Sequence, residues 1–154
     1  PGEVPPTLFA APTVAPHMSL ADRVDGIVHE RTQTAGPGLD LTVDAVHALT
    51  APGAIDFGGG ELDPAETTPL DTVKNYPDED YGWWTLSPGT YLVTYNESLT
   101  GEEPVVLQPR DALVERGASH PTLHVRRLPR VPLTVPEAGL HLKENARVST
   151  LVER

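Results

Sequence analysis

Residues 86–93 read Leu86-Ser-Pro-Gly-Thr-Tyr-Leu-Val93, and the fold follows from how this stretch is read. Ser87-Pro-Gly89 has the chemistry of a tight turn, because proline presets its own φ and glycine accepts the dihedrals that other residues avoid. On either side, Trp83-Trp-Thr-Leu86 and Thr90-Tyr-Leu-Val-Thr-Tyr95 are rich in the aromatic and β-branched side chains that pack well on a pleated surface. The stretch predicts two strands joined by a turn. Successive strand side chains point to opposite faces, so Trp83 and Trp84 are expected to part, one into the core and one towards a loop or neighbour.

Working outward, short extended segments recur. Residues 34–38 (TAGPG) predict a turn, Leu39-Asp-Leu-Thr-Val43 alternates as a strand does, and Val46 and Leu49 prolong it to a stop at Pro52-Gly53. Residues 58–80 predict a long loop, ending in Asp78-Glu-Asp80, around a short strand at 70–73. Further strands are expected at 105–107, 123–125, 131–135 and 146–152. Residues 110–116 are the best short helix, closed by Gly117 at a C-cap position. Residues 19–33 are ambiguous, since Ser19 suits a helix cap while Val24, Ile27 and Val28 suit a strand. Residues 1–17 hold five prolines and predict an extended arm, with Leu8, Phe9 and Val14 available to pack on a neighbouring subunit. Residues 18–154 then form one β domain.

Composition agrees with that reading. A chain of 154 residues is the size of one ordinary domain, and 17 prolines with 13 glycines leave little room for long helices. Eleven basic residues against 22 acidic ones give a net charge of −11, which argues against non-specific binding to nucleic acid or to an anionic membrane. There is no cysteine, hence neither disulfide nor thiolate chemistry. The apolar runs are too short to span a bilayer and no leader pattern opens the sequence, so the expected compartment is the cytoplasm.

Four stretches, in order, resemble the dUTPase and dCTP deaminase superfamily, and its short deaminase-like branch in particular. Gly38-Leu-Asp-Leu41 resembles that family's Gly-x-Asp-Leu strand, followed by Ile55-Asp-Phe57. Leu86–Val93 resembles its x-Pro-Gly-x-Phe/Tyr-x-Leu hairpin. Pro109-Arg-Asp-Ala-Leu-Val-Glu-Arg-Gly117 occupies the place of Gly-Arg-Ser-Ser-Leu and a short helix. Arg147-Val-Ser-Thr-Leu-Val152 resembles the closing Arg-Ile-Ala-Gln-Leu-Val. The resemblance implies an all-β, dUTPase-like distorted β-barrel (β-clip) with one short helix. It also implies a homotrimer with nucleotide sites between subunits, and magnesium if a nucleoside triphosphate is bound.

The catalytic positions depart from the family pattern. Arg110 is kept, but the two serines that would help it hold a polyphosphate are replaced by Asp111 and Ala112. A carboxylate beside a triphosphate is repulsive, by about 1 kcal/mol at ~4 Å even in water. Asp111 also has a structural reading, as an acid complementing a helix N-terminus. The general-base carboxylate that family members place after the helix has no counterpart in His120-Pro-Thr-Leu-His-Val-Arg-Arg-Leu-Pro-Arg-Val-Pro132. His120 and His124, four apart on a strand, would share a face and could pair on a metal, but they lack a third ligand, and no metal is expected. The resemblance leaves Arg110, Arg147, Arg116 and Asp40 as candidate phosphate-binding residues; the structural role of Asp40 is to satisfy backbone donors at a turn. Arg126, Arg127 and Arg130 form the densest basic cluster, suited to a phosphate or to acids of another subunit.

The function expected is that of a relative in deoxynucleotide metabolism, with dUTP or dCTP turnover lost or much weakened and a residual nucleotide or phosphate site. One alternative is an active dUTP diphosphatase or dCTP deaminase with a rearranged site. Another is a non-catalytic structural or interaction trimer; a cupin-like metal enzyme is disfavoured because its His-x-His spacing is absent.

Overall fold

The computed structural model describes residues 18–154, so the proline-rich arm of residues 1–17 lies outside the described residues. A short helical turn α1 (Leu20–Arg23) leads into β1 (Val24–Asp25) and a second turn, α2 (Glu30–Gln33). The long strand β2 (Leu39–Ala51) follows, then β3 (Glu66–Pro69), β4 (Trp83–Leu86), β5 (Gly89–Tyr95), β6 (Ser98–Leu99) and β7 (Val105–Pro109). A third helical turn, α3 (Asp111–Val114), precedes β8 (Leu123–Val125), β9 (Val131–Val135), β10 (Leu140–Lys143) and β11 (Arg147–Val152). The protein is all-β in architecture, as expected.

The main sheet has the order β8-β7-β11-β2-β5-β9, with β3 also paired to β2, and every pairing is antiparallel. Register shifts along β2, between Val43 and Ala45 and again between Leu49 and Ala51, mark the irregularities that curl a sheet. A backbone bridge between Ser119 and Thr134 (2.8 and 3.1 Å) ties the connector that leads to β8 onto β9, at the other end of the strand order. The result is a curled sheet of half-barrel form.

The core lies inside the curl. Leu39, Leu41, Val43 and Val46 of β2 meet Val93 of β5, Val105 and Leu107 of β7, Val131 and Leu133 of β9, and Leu151 of β11, all buried. The first five residues of β2 are buried on both faces, including Asp40 and Thr42. β11 is buried through Val148, Ser149, Thr150 and Leu151. These central strands therefore carry polar side chains inside, and each needs a partner.

Five local expectations are corrected. Among the described residues there are three helical turns rather than one, because Ser19 does cap α1 by accepting from the Asp22 N–H, and His29 caps α2. The strand expected at 70–73 is instead β3, four residues earlier, since the segment that lines up beside His47–Ala51 is the threonine pair 67–68. The strands flanking Ser87-Pro-Gly89 do not form a hairpin: β4 pairs with β10, while β5 pairs with β2 and β9. His120 precedes β8 and is buried, whereas His124 is exposed, so the two do not form a pair. Asp40 lies within a strand and not at a turn. The tryptophans part as expected: Trp84 is buried and donates to Leu70 O (3.0 Å), and Trp83 lies beneath Lys143 Nζ, 5.3 Å from the ring centre.

Candidate functional site

Three of the four candidate residues come together. Asp40 lies near the start of β2, Arg147 opens β11, and Arg110 follows the last residue of β7, so neighbouring strands of one sheet deliver all three. Asp40 Oδ2 accepts from Arg147 Nη1 at 3.0 Å and pairs with Arg110 Nε at 3.2 Å. Arg110 Nη1 donates to Arg147 O (3.0 Å), and its backbone N–H donates to Val148 O (2.9 Å). Arg147 Nη1 also reaches Thr32 O of α2, at 3.4 Å. The Asp40 side chain is 10% exposed, against 26% and 35% for Arg110 and Arg147, so the carboxylate is beneath and the guanidinium groups face outward. Two cations against one anion leave a formal charge of +1 on a chain of net charge −11.

Arg116 does not join them. It is exposed, donates to Ala112 O of its own helical turn (2.9 Å), and lies 3.9 Å from Glu115. Asp111 begins α3 on the exposed side, and Ala112 follows it half-buried. Arg110 is the N-cap residue of α3 but makes no side-chain cap bond. Gly117 ends the turn with φ +84°, its N–H bonded to Val114 O (2.9 Å), the C-cap expected of it. Arg126 and Arg127 donate to Glu102 O and Gly101 O of the loop before β7, and Arg130 donates to Thr67 Oγ1 of β3.

Two buried polar networks stand behind the arginines. In the first, Glu97 Oε1 accepts from Thr42 N (2.8 Å), and Oε2 accepts from Thr42 Oγ1 (2.5 Å) and Gln33 Nε2 (2.9 Å). Gln33 also donates to Asp40 O (2.8 Å), and its Oε1 accepts from the Val28 and His29 N–H groups (2.9 and 2.8 Å). Every hydrogen-bonding position of Gln33 is thereby used. This network ties α2 to the Asp40 backbone, and with it the carboxylate between the arginines.

The second network joins Tyr95, Ser149 and His120. Ser149 Oγ lies 2.5 Å from Tyr95 Oη and 2.7 Å from His120 Nε2, and His120 Nδ1 lies 2.9 Å from Pro121 O. Burial pushes the Tyr95 phenol up to about 12 and lowers the His120 imidazole below its ordinary value. Sequence reading misses both networks, because Gln33, Glu97 and Ser149 look like ordinary polar residues at the ends of short segments. The one available signal is polar side chains within strands otherwise apolar.

A magnesium ion finds no protein cage here. Among the described residues no group of three His, Asp or Glu gathers to hold a metal, and Asp40 Oδ2 is taken by two guanidinium groups. Among the described residues Asp40 is the only carboxylate bonded to the arginine pair, and no Asp or Glu occurs from Gly117 to Pro136.

No family model matches the chain. A curated protein of Methanosarcina mazei, named probable deoxyuridine 5'-triphosphate nucleotidohydrolase, is 28% identical over 136 residues, 84% of this chain and 76% of that protein. A protein of Methanococcoides burtonii bearing the same name is 27% identical over the same span. A third, from Halobacterium salinarum, is 37% identical over 97 residues, 62% of this chain and 56% of that protein. With the curled antiparallel sheet and four motifs in family order, these relatives support membership of the dUTPase superfamily.

Proposed function

We propose that the protein serves deoxynucleotide metabolism as a nucleotide-binding relative of the dUTPases, with dUTP and dCTP turnover lost or much weakened. The observation that carries this reading is the double engagement of Asp40. The carboxylate beside the arginines is already the counter-ion of both, so its Oδ2 is committed to two guanidinium groups and is not free to orient a water for attack. Arg110 and Arg147, held side by side with their outer faces half-exposed, suit one anionic group of a phosphate chain. Asp111 and Ala112 supply neither hydroxyl, so binding is weaker than serines would give. Magnesium, if it accompanies a nucleotide, would have to be held by groups other than a cluster of His, Asp or Glu among the described residues.

The test combines turnover and binding. Incubation with dUTP or dCTP and magnesium, read for pyrophosphate and for ammonia, is expected to give well under about 1 s⁻¹, the low end of ordinary enzyme rates. Titration calorimetry with a non-hydrolysable dUTP analogue is expected to show binding that Arg110→Ala and Arg147→Ala each weaken by about tenfold or more, while Arg116→Ala changes little. Asp111→Ser with Ala112→Ser should tighten binding without restoring turnover. Rates above about 1 s⁻¹ in the unaltered protein would overturn the proposal. The assembly proposed with it is a homotrimer; light scattering at micromolar concentration should return three times the chain mass of 16.5 kDa, and a stable monomer refutes it.

A further inference from the structure

The Tyr95–Ser149–His120 chain has a direction. Pro121 O can only accept, so the Nδ1 of His120 carries the proton that bonds to it, and the neutral ring presents Nε2 as an acceptor. Ser149 must then donate to Nε2, and Tyr95 must donate to Ser149. Each hydroxyl donates once and each acceptor is used, with all three side chains buried.

We propose that this chain is a proton-sensitive latch that holds the connector at residues 117–121 against the sheet. Adding a proton to His120 puts a hydrogen on Nε2, which must donate to Ser149 Oγ. Ser149 Oγ then either accepts from both His120 and Tyr95 or turns its own hydrogen towards Tyr95, and in each case one of the two hydroxyl hydrogens loses its acceptor. Neither hydroxyl makes another side-chain hydrogen bond among the described residues, so that O–H is left buried and unmet. An unsatisfied buried hydroxyl and a buried cation are both costly.

No carboxylate is bonded to His120 to offset that cost. Of the charged groups on elements packed nearby, Glu97 beyond β5 acts on Tyr95 through its charge but is bonded to Thr42 and Gln33, and Arg110 and Arg147 beside β11 are bonded to Asp40. Asp111, Glu115 and Arg116 of the α3 region and His124 of β8 are exposed, and β9 carries no titratable side chain. The connector beside His120 carries Ser119, whose backbone bridge to Thr134 closes the curl of the sheet. Breaking the latch therefore loosens that seam first.

The sign follows from the same geometry. The folded state favours neutral His120, so its contribution is complete above the ordinary histidine value of about 6.5 and is lost as pH falls below it.

Two measurements test the latch, and neither involves nucleotide. Nitrogen-15 NMR of the unaltered protein near neutral pH should find His120 in the Nδ1–H tautomer with unprotonated Nε2; the Nε2–H tautomer would overturn the proposal. Hydrogen exchange should show the Ser119 and Thr134 amides losing about tenfold in protection between about pH 7 and about pH 5, relative to the distant Ala54–Asp63 bridge. His120→Gln should abolish that step. Ser149→Ala, which keeps the imidazole but removes the link, should leave the seam weakly protected at both pH values. Equal loss at both bridges, or a step that persists in His120→Gln, would also overturn it.

Discussion

Gln33, Thr42 and Glu97 show what a single side chain decides here. Glu97 is 4% exposed and is held by three donors, Thr42 N, Thr42 Oγ1 and Gln33 Nε2. All three are donors facing a group that only accepts. Glu97→Gln replaces one of those acceptor oxygens by an NH₂, which meets a donor head-on whichever way the amide turns. The expected loss is about 1 to 3 kcal/mol in urea unfolding, from a buried polar group left unmet. Because Gln33 also holds the Asp40 backbone, nucleotide affinity should fall with stability. A midpoint unchanged from the unaltered protein would show that the network relaxes around the amide. Residue types at this scale were only half legible. Arg110, Arg147 and Asp40 stand out through the family motifs, whereas Glu97 reads as one acid in a polar loop.

At the scale of elements, the start of β2 depends on the absence of a side chain. A Cβ at Gly38 would lie 2.2 Å from Leu151 O and 2.9 Å from Thr150 Oγ1, so β11 comes too close to allow one. Gly38→Ala must push β11 away from β2 and with it Arg147 from Asp40, at an expected cost of about 1 to 3 kcal/mol. Gly36, two residues earlier in the same turn, has nothing within 4 Å of where its Cβ would be. Gly36→Ala is expected to be neutral or to gain up to about 1 kcal/mol by restricting the unfolded chain. Thermal melts of the two variants make the comparison, and equal destabilisation would mean that the close approach is not what selects glycine at 38. The existence of β2, β5, β7, β8, β9 and β11 was legible from alternation and turn residues. Their partners were not. Ser87-Pro-Gly89 looks like a hairpin turn because local chemistry specifies a change of direction, and it does not specify which strand waits on the other side.

For the whole molecule, charge acts in a way that no local contact describes. A net charge of −11 spread over a small fold repels itself, and the ion pairs of Asp40 with Arg110 and Arg147 neutralise only one of the 22 acids. Sodium chloride is therefore expected to raise the urea midpoint. Most of the gain should arrive by about 0.15 M, where the Debye length has shortened to about 8 Å. A midpoint that is flat or falls with salt would mean that the acids are spaced too widely to repel. None of the helices among the described residues is long and apolar enough to cross a membrane.

The amino-acid sequence by itself determined the class of fold, the order of the family-like stretches and the residue types at the start of α3, Asp111 and Ala112, because these are matters of composition and spacing along the chain. Only the tertiary structure decided that Asp40 pairs with both Arg110 and Arg147, that Arg116 points elsewhere, and that His120 is bound to Ser149, and through it linked to Tyr95, instead of to His124. Those outcomes depend on contacts between residues 29 to 107 positions apart, as for His120 with Ser149 and Asp40 with Arg147. A buried polar group must find its partner wherever the sheet's register brings one within about 3 Å, and register is settled by the packing of the entire core.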